Sequence, residues 1–204
     1  SNTAYTGGDV KMKFRDYLEI LERNEETPLR LFLFNGFKHK PELTKDFPKP
    51  DILNSQMLNL GFMFFGGKNS PVRMHQDIDM SNVLLTQFYG RKRAVLFAPA
   101  YTKYLYKPQF NTFSIVNFDN PDFEKFPALR KAKGYDVTME AGDSLFMPSG
   151  FWHHMTYIDA GYAVSYRRIA KSVPMKLSGL ANLSINLLID KSLTRLIGDK
   201  WSTY

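Results

Sequence analysis

Apolar positions Phe14, Tyr17, Leu18 and Leu21 fall at the spacing of one helix face, so residues 13–23 predict an amphipathic helix. Pro28 follows, and the apolar run at 29–34 predicts a strand closed by Asn35 and Gly36. Residues 39–50 are charged and proline-rich and predict a loop. From about Met57 the pattern changes to short apolar runs, at 58–65, 83–89, 93–97, 135–139, 144–147, 154–158 and 162–168. Turn residues separate them, among them Gly66-Gly67, Gly90, Gly142-Asp143, Pro148-Ser149-Gly150 and Gly161. Short strands at this spacing predict a sandwich or barrel. Residues 117–127 predict a loop leading into a short helical turn. Beyond the strands, Leu180, Leu183, Leu187, Leu188, Leu193, Leu196 and Ile197 recur near a period of 3.6 and predict one or two helices. Their apolar face either packs on the chain's own barrel or forms a dimer interface.

The chain has 204 residues, which suits one domain with a sizeable core. Its expected parts are a helix with its flanking segment at 1–56, a barrel at 57–170 and a helical segment at 171–204. Aromatic residues reach 15%, which leans towards β structure. The absence of cysteine excludes disulfides and restricts any metal site to histidine and carboxylate ligands. The net charge of +7 suits an acidic or nucleic-acid partner. Scattered Lys and Arg also suit an ordinary solvated surface. The longest apolar stretches, such as 185–189, are far short of a membrane span, and no secretory leader is visible. The expectation is a soluble, cytoplasmic protein without a membrane partner. Residues 1–9, small and polar, predict a flexible end.

Three of the 4 histidines lie in two short motifs, Met74-His75-Gln76-Asp77 and Phe151-Trp152-His153-His154. On a strand, His75 and Asp77 would project to one face. A third ligand from a distant strand would complete two histidines and one carboxylate, which leaves open positions on a non-haem iron. Asp79 also lies near His75 and adds a competing carboxylate. Gly142-Asp143 reads as a turn, with the aspartate bonding backbone amides. Trp152 reads as core.

With these motifs in hand, residues 66–168 resemble the JmjC-like cupin (cupin-8 type) family of Fe(II)- and 2-oxoglutarate-dependent oxygenases. The resemblance extends to the branches that hydroxylate a protein asparagine and a modified tRNA base. It is carried by His75-Gln76-Asp77 and by the stretches at 82–99, 117–127 and 134–154, which occur in family order. It implies a mainly β fold, a double-stranded β-helix or jelly-roll barrel with flanking N- and C-terminal helices. It implies iron on His75, Asp77 and His153, with His154 on the other side of its strand. Lys92 matches the lysine that holds the distal carboxylate of 2-oxoglutarate, so Arg91 and Arg93 should face outward. Asn82 matches a side chain that hydrogen-bonds the co-substrate near the metal.

Some positions depart from the family. Phe32 stands where a tyrosine hydroxyl meets the distal carboxylate. Val72, or Ser70 with a gap, stands for a threonine, and Arg167 stands for an asparagine. Ser70 and Arg167 are therefore further candidates for co-substrate binding. The implied activity is hydroxylation of a protein side chain, with a tRNA base or a small molecule as alternative substrates. A homodimer through the C-terminal helices would fit the same class. A cupin that binds metal or ligand without turnover is the non-catalytic alternative.

Overall fold

The protein is represented by a computed structural model that describes residues 10–48, 60–109 and 111–197, with side chains described except at Leu60 and 186–197. Nine strands form two antiparallel sheets: β1 (Arg30–Phe34), β2 (Leu60–Gly66), β3 (Pro71–His75), β4 (Asn82–Tyr89), β5 (Lys92–Phe97), β6 (Gly134–Met139), β7 (Ser144–Met147), β8 (Trp152–Tyr157) and β9 (Gly161–Arg168). One sheet has the order β1-β2-β9-β4-β7 and the other β3-β8-β5-β6. The fold is mainly β, a jelly-roll with helices α1 (Phe14–Glu22), α2 (Gly36–His39) and α3 (Val173–Ile197).

The inner strands β4, β5, β8 and β9 read as nearly continuous apolar runs because both of their faces are covered, whereas the edge strands β1, β6 and β7 are largely exposed. Val83, Leu85, Ala94, Leu96, Met155 and Ala163 meet between the sheets. On the outer face of the five-stranded sheet, Tyr17 and Leu21 of α1 pack with Phe65, Leu84, Val164 and Tyr166. On the outer face of the other sheet, Val95, Phe97 and Trp152 pack under Leu105, Phe118 and Leu129 from the long connection after β5. Trp152 is fully buried and its indole N–H donates to Thr102 Oγ1 at 2.9 Å. At the β6–β7 turn Gly142 takes φ +100°, and Asp143 accepts from the Glu140 amide at 2.8 Å.

The structure corrects three expectations. The stretch expected as a loop from residue 39 contains the end of α2 and a 3-10 turn at Pro41–Lys45, with Asn35 capping α2 by accepting from the Lys38 amide. β3 ends at His75, so Asp77 is not a strand residue, and the strand geometry expected to align the two ligands does not apply. In α3, Leu180 and Leu183 do not pack on the barrel: both are exposed, together with Val173 and Leu177. The barrel-facing residue is Gly179, the one buried position among residues 173–185. Residues 1–9, the expected boundary at 56/57 and the side chains of Leu187, Leu188, Leu193, Leu196 and Ile197 lie outside the described residues.

Candidate metal centre

β3 and β8 pair with His75 opposite His153, and the two imidazoles lie with ring centroids 4.1 Å apart. Asp77 joins them from the turn after β3, which is closed by the Met80 amide donating to the Asp77 carbonyl at 3.0 Å. One ligand atom from each of His75, Asp77 and His153 lies within 4.8 Å of the others. The histidine tautomers follow from their neighbours. His75 Nδ1 is 2.7 Å from the Arg73 carbonyl oxygen, and His153 Nδ1 is 3.3 Å from that of Phe151. A carbonyl only accepts, so each Nδ1 carries the proton and each Nε2 is left with a free lone pair.

Burial favours the same ligand state. It pushes His75 down to about 3, helped by His153 and opposed by Asp77. His153 is likewise lowered, first by burial. Burial works to raise Asp77, but Arg167 and the two histidines outweigh it and hold the carboxyl below its ordinary value. Two neutral imidazoles and one carboxylate are the donor set of a divalent metal with open positions. Neither imidazole needs to lose a proton before binding.

Two ties lock the ligand-bearing turns together. Gln76, buried next to His75 in the chain, donates from Nε2 to the Gly150 carbonyl. Ser149 Oγ donates to the Met80 carbonyl, and the Ser149 amide donates to Asn82 Oδ1 at 3.0 Å. Asn82 thus uses its carbonyl oxygen on the turn before His153, and its amide nitrogen remains to donate to a ligand. Arg167 projects from β9 onto the same turn, with Nη2 3.0 Å from Asp77 Oδ1 and Nη1 3.5 Å from Asp79 Oδ1. Asp79 is committed to this pair and to the Ser81 amide and hydroxyl. Ser70 is buried and its hydroxyl donates to the Gly67 carbonyl at 2.8 Å, within its own turn. His154 faces the other side of β8, where Nε2 meets Asp119 Oδ1 at 3.0 Å.

Deeper in the barrel, Lys92 lies opposite Tyr157, and its Nζ sits 4.1 Å over the Tyr157 ring. Lys92 is 2% exposed and forms no ion pair with any described residue. Burial alone brings it down to about 7. Its neighbours point outward as expected: Arg91 pairs with Asp159 at 2.6 Å and Arg93 with Asp136 at 2.6 Å. Gly66 makes room for the aromatic ring, since a Cβ there would stand 2.4 Å from it. Ser165 Oγ and Gln87 Oε1 are also buried, with no hydrogen-bond partner among the described residues. By strand alternation both share the inward face with Lys92 and Arg167. Phe32 is half exposed on β1 and brings no hydroxyl to this interior.

Sequence reasoning passes over Gln76, Tyr157 and Ser165. Parity is the available signal: Tyr157 is four residues from His153 on one strand, and Ser165 is two from Arg167 on another. Gln76 has no such signal, because its partner Gly150 is 74 residues away.

The profile of the family described as "Cupin-like domain" matches residues 2–168. The tRNA wybutosine-synthesizing protein 5 of Gallus gallus is 34% identical over 128 residues, covering 63% of this chain and 39% of that protein. Its Homo sapiens counterpart is 32% identical over 128 residues, covering 63% of this chain and 40% of that protein. The HSPB1-associated protein 1 of Homo sapiens is 41% identical over 102 residues, covering 48% of this chain and 21% of that protein. The matched part of the chain thus spans 39% or less of two of these relatives and 40% of the third.

Proposed function

This chain belongs to the cupin-like domain family, and from that premise we propose that it is an Fe(II)- and 2-oxoglutarate-dependent oxygenase that hydroxylates its substrate. One observation carries the reading: a buried, unpaired lysine shares a barrel interior with a two-histidine, one-carboxylate triad. A buried cation without a partner is costly, and an anionic ligand relieves that cost. Four residues of β8 separate His153 from Tyr157, which at about 3.3 Å per residue is ~13 Å of strand. A ligand with an anionic group at each end suits such a site. Charge agrees. Arg167 and Asp79 offset each other, a divalent metal with Asp77 leaves one positive charge, and Lys92 adds a second, so a dianion brings the interior to neutrality.

His75, Asp77 and His153 would hold the metal. Iron with 2-oxoglutarate supplies, when bound, the oxidation of a substrate C–H bond by O₂, with release of succinate and CO₂. The chain's own groups do the rest. Lys92 binds the distal carboxylate, and the Tyr157 ring beneath it keeps water from the ammonium. Ser165 Oγ offers a donor along the same face. Arg167 holds one oxygen of Asp77, leaving the other for the metal. The apolar residues between the sheets exclude bulk solvent.

Succinate release tests this reading. Iron-loaded protein given 2-oxoglutarate and O₂ forms succinate slowly even without a prime substrate. Metal binding with no succinate under any substrate supports the non-catalytic alternative instead.

A protein side chain is the first substrate class to screen. A tRNA base is the second, favoured by the net charge of +7 and by relatives named for tRNA wybutosine synthesis. Binding to bulk tRNA that weakens steeply with salt supports the second class, and binding indifferent to salt removes it. Assembly through α3 belongs to the same proposal, because Val173, Leu177 and Leu180 leave an apolar stripe exposed. Sedimentation of wild type and Leu180→Glu tests it, and two equal monomers overturn it. No helix among the described residues is long and apolar enough to cross a membrane.

A further inference from the structure

Asp77 sits on a turn, not on a strand, so the sheet ladder does not fix how far its carboxylate reaches. Met80 closes that turn with φ +50°, a conformation that a side chain larger than glycine adopts only when its surroundings hold it. The outside of the turn is covered by α3, in three contacts. Gly179 packs so close that a Cβ on it would stand 2.4 Å from the Asp79 carbonyl oxygen and 2.8 Å from its carbonyl carbon. Asn182 Nδ2 donates to the Ile78 carbonyl at 3.3 Å. One turn of helix earlier, Met175 lies beside Gly150, in the turn that leads into His153. The helix therefore touches both ligand-bearing turns. It does so through Met175, Asn182 and its one buried described residue, Gly179, on the side away from the exposed Leu177 and Leu180.

We propose that α3 is a positioning element for the metal centre, with Gly179 and Asn182 as the residues that set the reach of Asp77 towards His75 and His153. This rests on the metal-site reading above. Backbone packed on backbone leaves no flexible side chain to absorb a change, so an added methyl at 179 displaces either the helix or the 77–80 turn. Helix propensity works the other way, since alanine is favoured over glycine within a helix. A residue that matters only to the helix and one that positions the turn thus predict different results.

The test uses Co(II) as the probe, because its visible d–d bands report coordination geometry as well as occupancy. Wild type, Gly179→Ala, Asn182→Ala and the exposed neighbour Ser178→Ala are titrated without co-substrate, and their metal-free melting temperatures are recorded. The inference expects Gly179→Ala to bind Co(II) roughly tenfold more weakly with altered bands, and Asn182→Ala roughly threefold more weakly, from the general cost of overpacking and of a lost hydrogen bond. Ser178→Ala should match wild type. Wild-type affinity and bands in Gly179→Ala overturn the inference, whatever its melting temperature. If Gly179→Ala does not fold, Asn182→Ala decides alone, and wild-type behaviour there overturns the inference. Wild-type protein that binds no Co(II) overturns the metal reading and this inference with it. Wild type and both variants binding alike overturns this inference only.

Discussion

At the mouth of the barrel Asp77 meets Arg167 at 3.0 Å, and Arg167 reaches on to Asp79 at 3.5 Å. Deeper in, Lys92 lies over the Tyr157 ring with no carboxylate of the described residues beside it. Both regions carry buried charge, but they treat it oppositely. At the mouth each buried charge has a counter-charge within the chain, which is the state the proposed metal site requires. The depth holds a cation with no counter-charge among the described residues, and the proposed anionic ligand would supply one. A self-contained fold has reason to pair Arg167 and none to bury Lys92 without a counter-charge, and that contrast is what the proposal of Lys92 as a binding group rests on.

Removing a mouth ligand should have the largest effect. His153→Ala or His75→Ala is expected to abolish metal binding and lower succinate formation by more than about a thousandfold, as for other groups that act as a unit. Circular dichroism should show the fold retained, because each lost imidazole makes one hydrogen bond to backbone. Asp77→Ala should also lose metal. It should cost about 3–5 kcal/mol of stability as well, since Arg167 is then left without its nearer carboxylate.

The depth should respond with the opposite sign in stability. Lys92→Met is expected to raise the stability of the ligand-free protein by about 1–3 kcal/mol, because an unpaired buried charge is replaced by an apolar chain of similar length. The same change should raise KM for 2-oxoglutarate about a hundredfold, through loss of a charge-assisted bond. Denaturant melts and initial rates on one preparation check both halves. A variant less stable than wild type, or one with unchanged KM, erases the contrast between mouth and depth.

Acidity gives a third test. Lys92 is brought down to about 7 in the folded chain, below its ordinary value. Above pH 7 the unfolded chain binds the extra proton, so the destabilisation caused by burying this group is relieved as pH rises from about 7 towards 10. Below 7 both states are protonated and its contribution is flat. A bound dianion requires the charged form, so 2-oxoglutarate affinity should be full below about 7. Above it, affinity should fall by up to tenfold per pH unit. Lys92→Arg, charged throughout, should flatten the dependence between pH 7 and 9. The smallest effect belongs to Tyr157→Phe, expected to raise KM about twofold to tenfold if its hydroxyl shares the carboxylate. Stability should hardly change, because the ring that fills the space beside Gly66 remains.

Much of the candidate site is legible in the sequence, for a chemical reason. A chain with no cysteine and only 4 histidines has few ways to hold a metal, and the His75 and His153 motifs stand out against that background. Lys92 is legible through the resemblance, and strand alternation places Arg91 and Arg93 outside. Most strands are legible because glycine and proline punctuate them. Long-range partners are not. The pairing of Arg167 with Asp77 spans 90 residues and depends on β9 lying between β2 and β4. Periodicity carries no information about sheet order. The Asp77 turn escapes the alternation rule because that rule holds only while the strand continues, and β3 stops one residue after Met74. In α3 the leucine period draws attention to Leu180 and Leu183, which are left exposed. Close approach to the barrel calls for a residue without a side chain, and one glycine in a helix leaves no periodic trace.

The most direct test of the unpaired lysine is an anaerobic titration of the Fe(II) protein with 2-oxoglutarate, followed by visible absorbance. Wild type, Lys92→Met and His153→Ala are compared. The account predicts a weak charge-transfer band in wild type, the same band in Lys92→Met only at about a hundredfold higher 2-oxoglutarate, and no band in His153→Ala. A Lys92→Met curve that overlays wild type would contradict it.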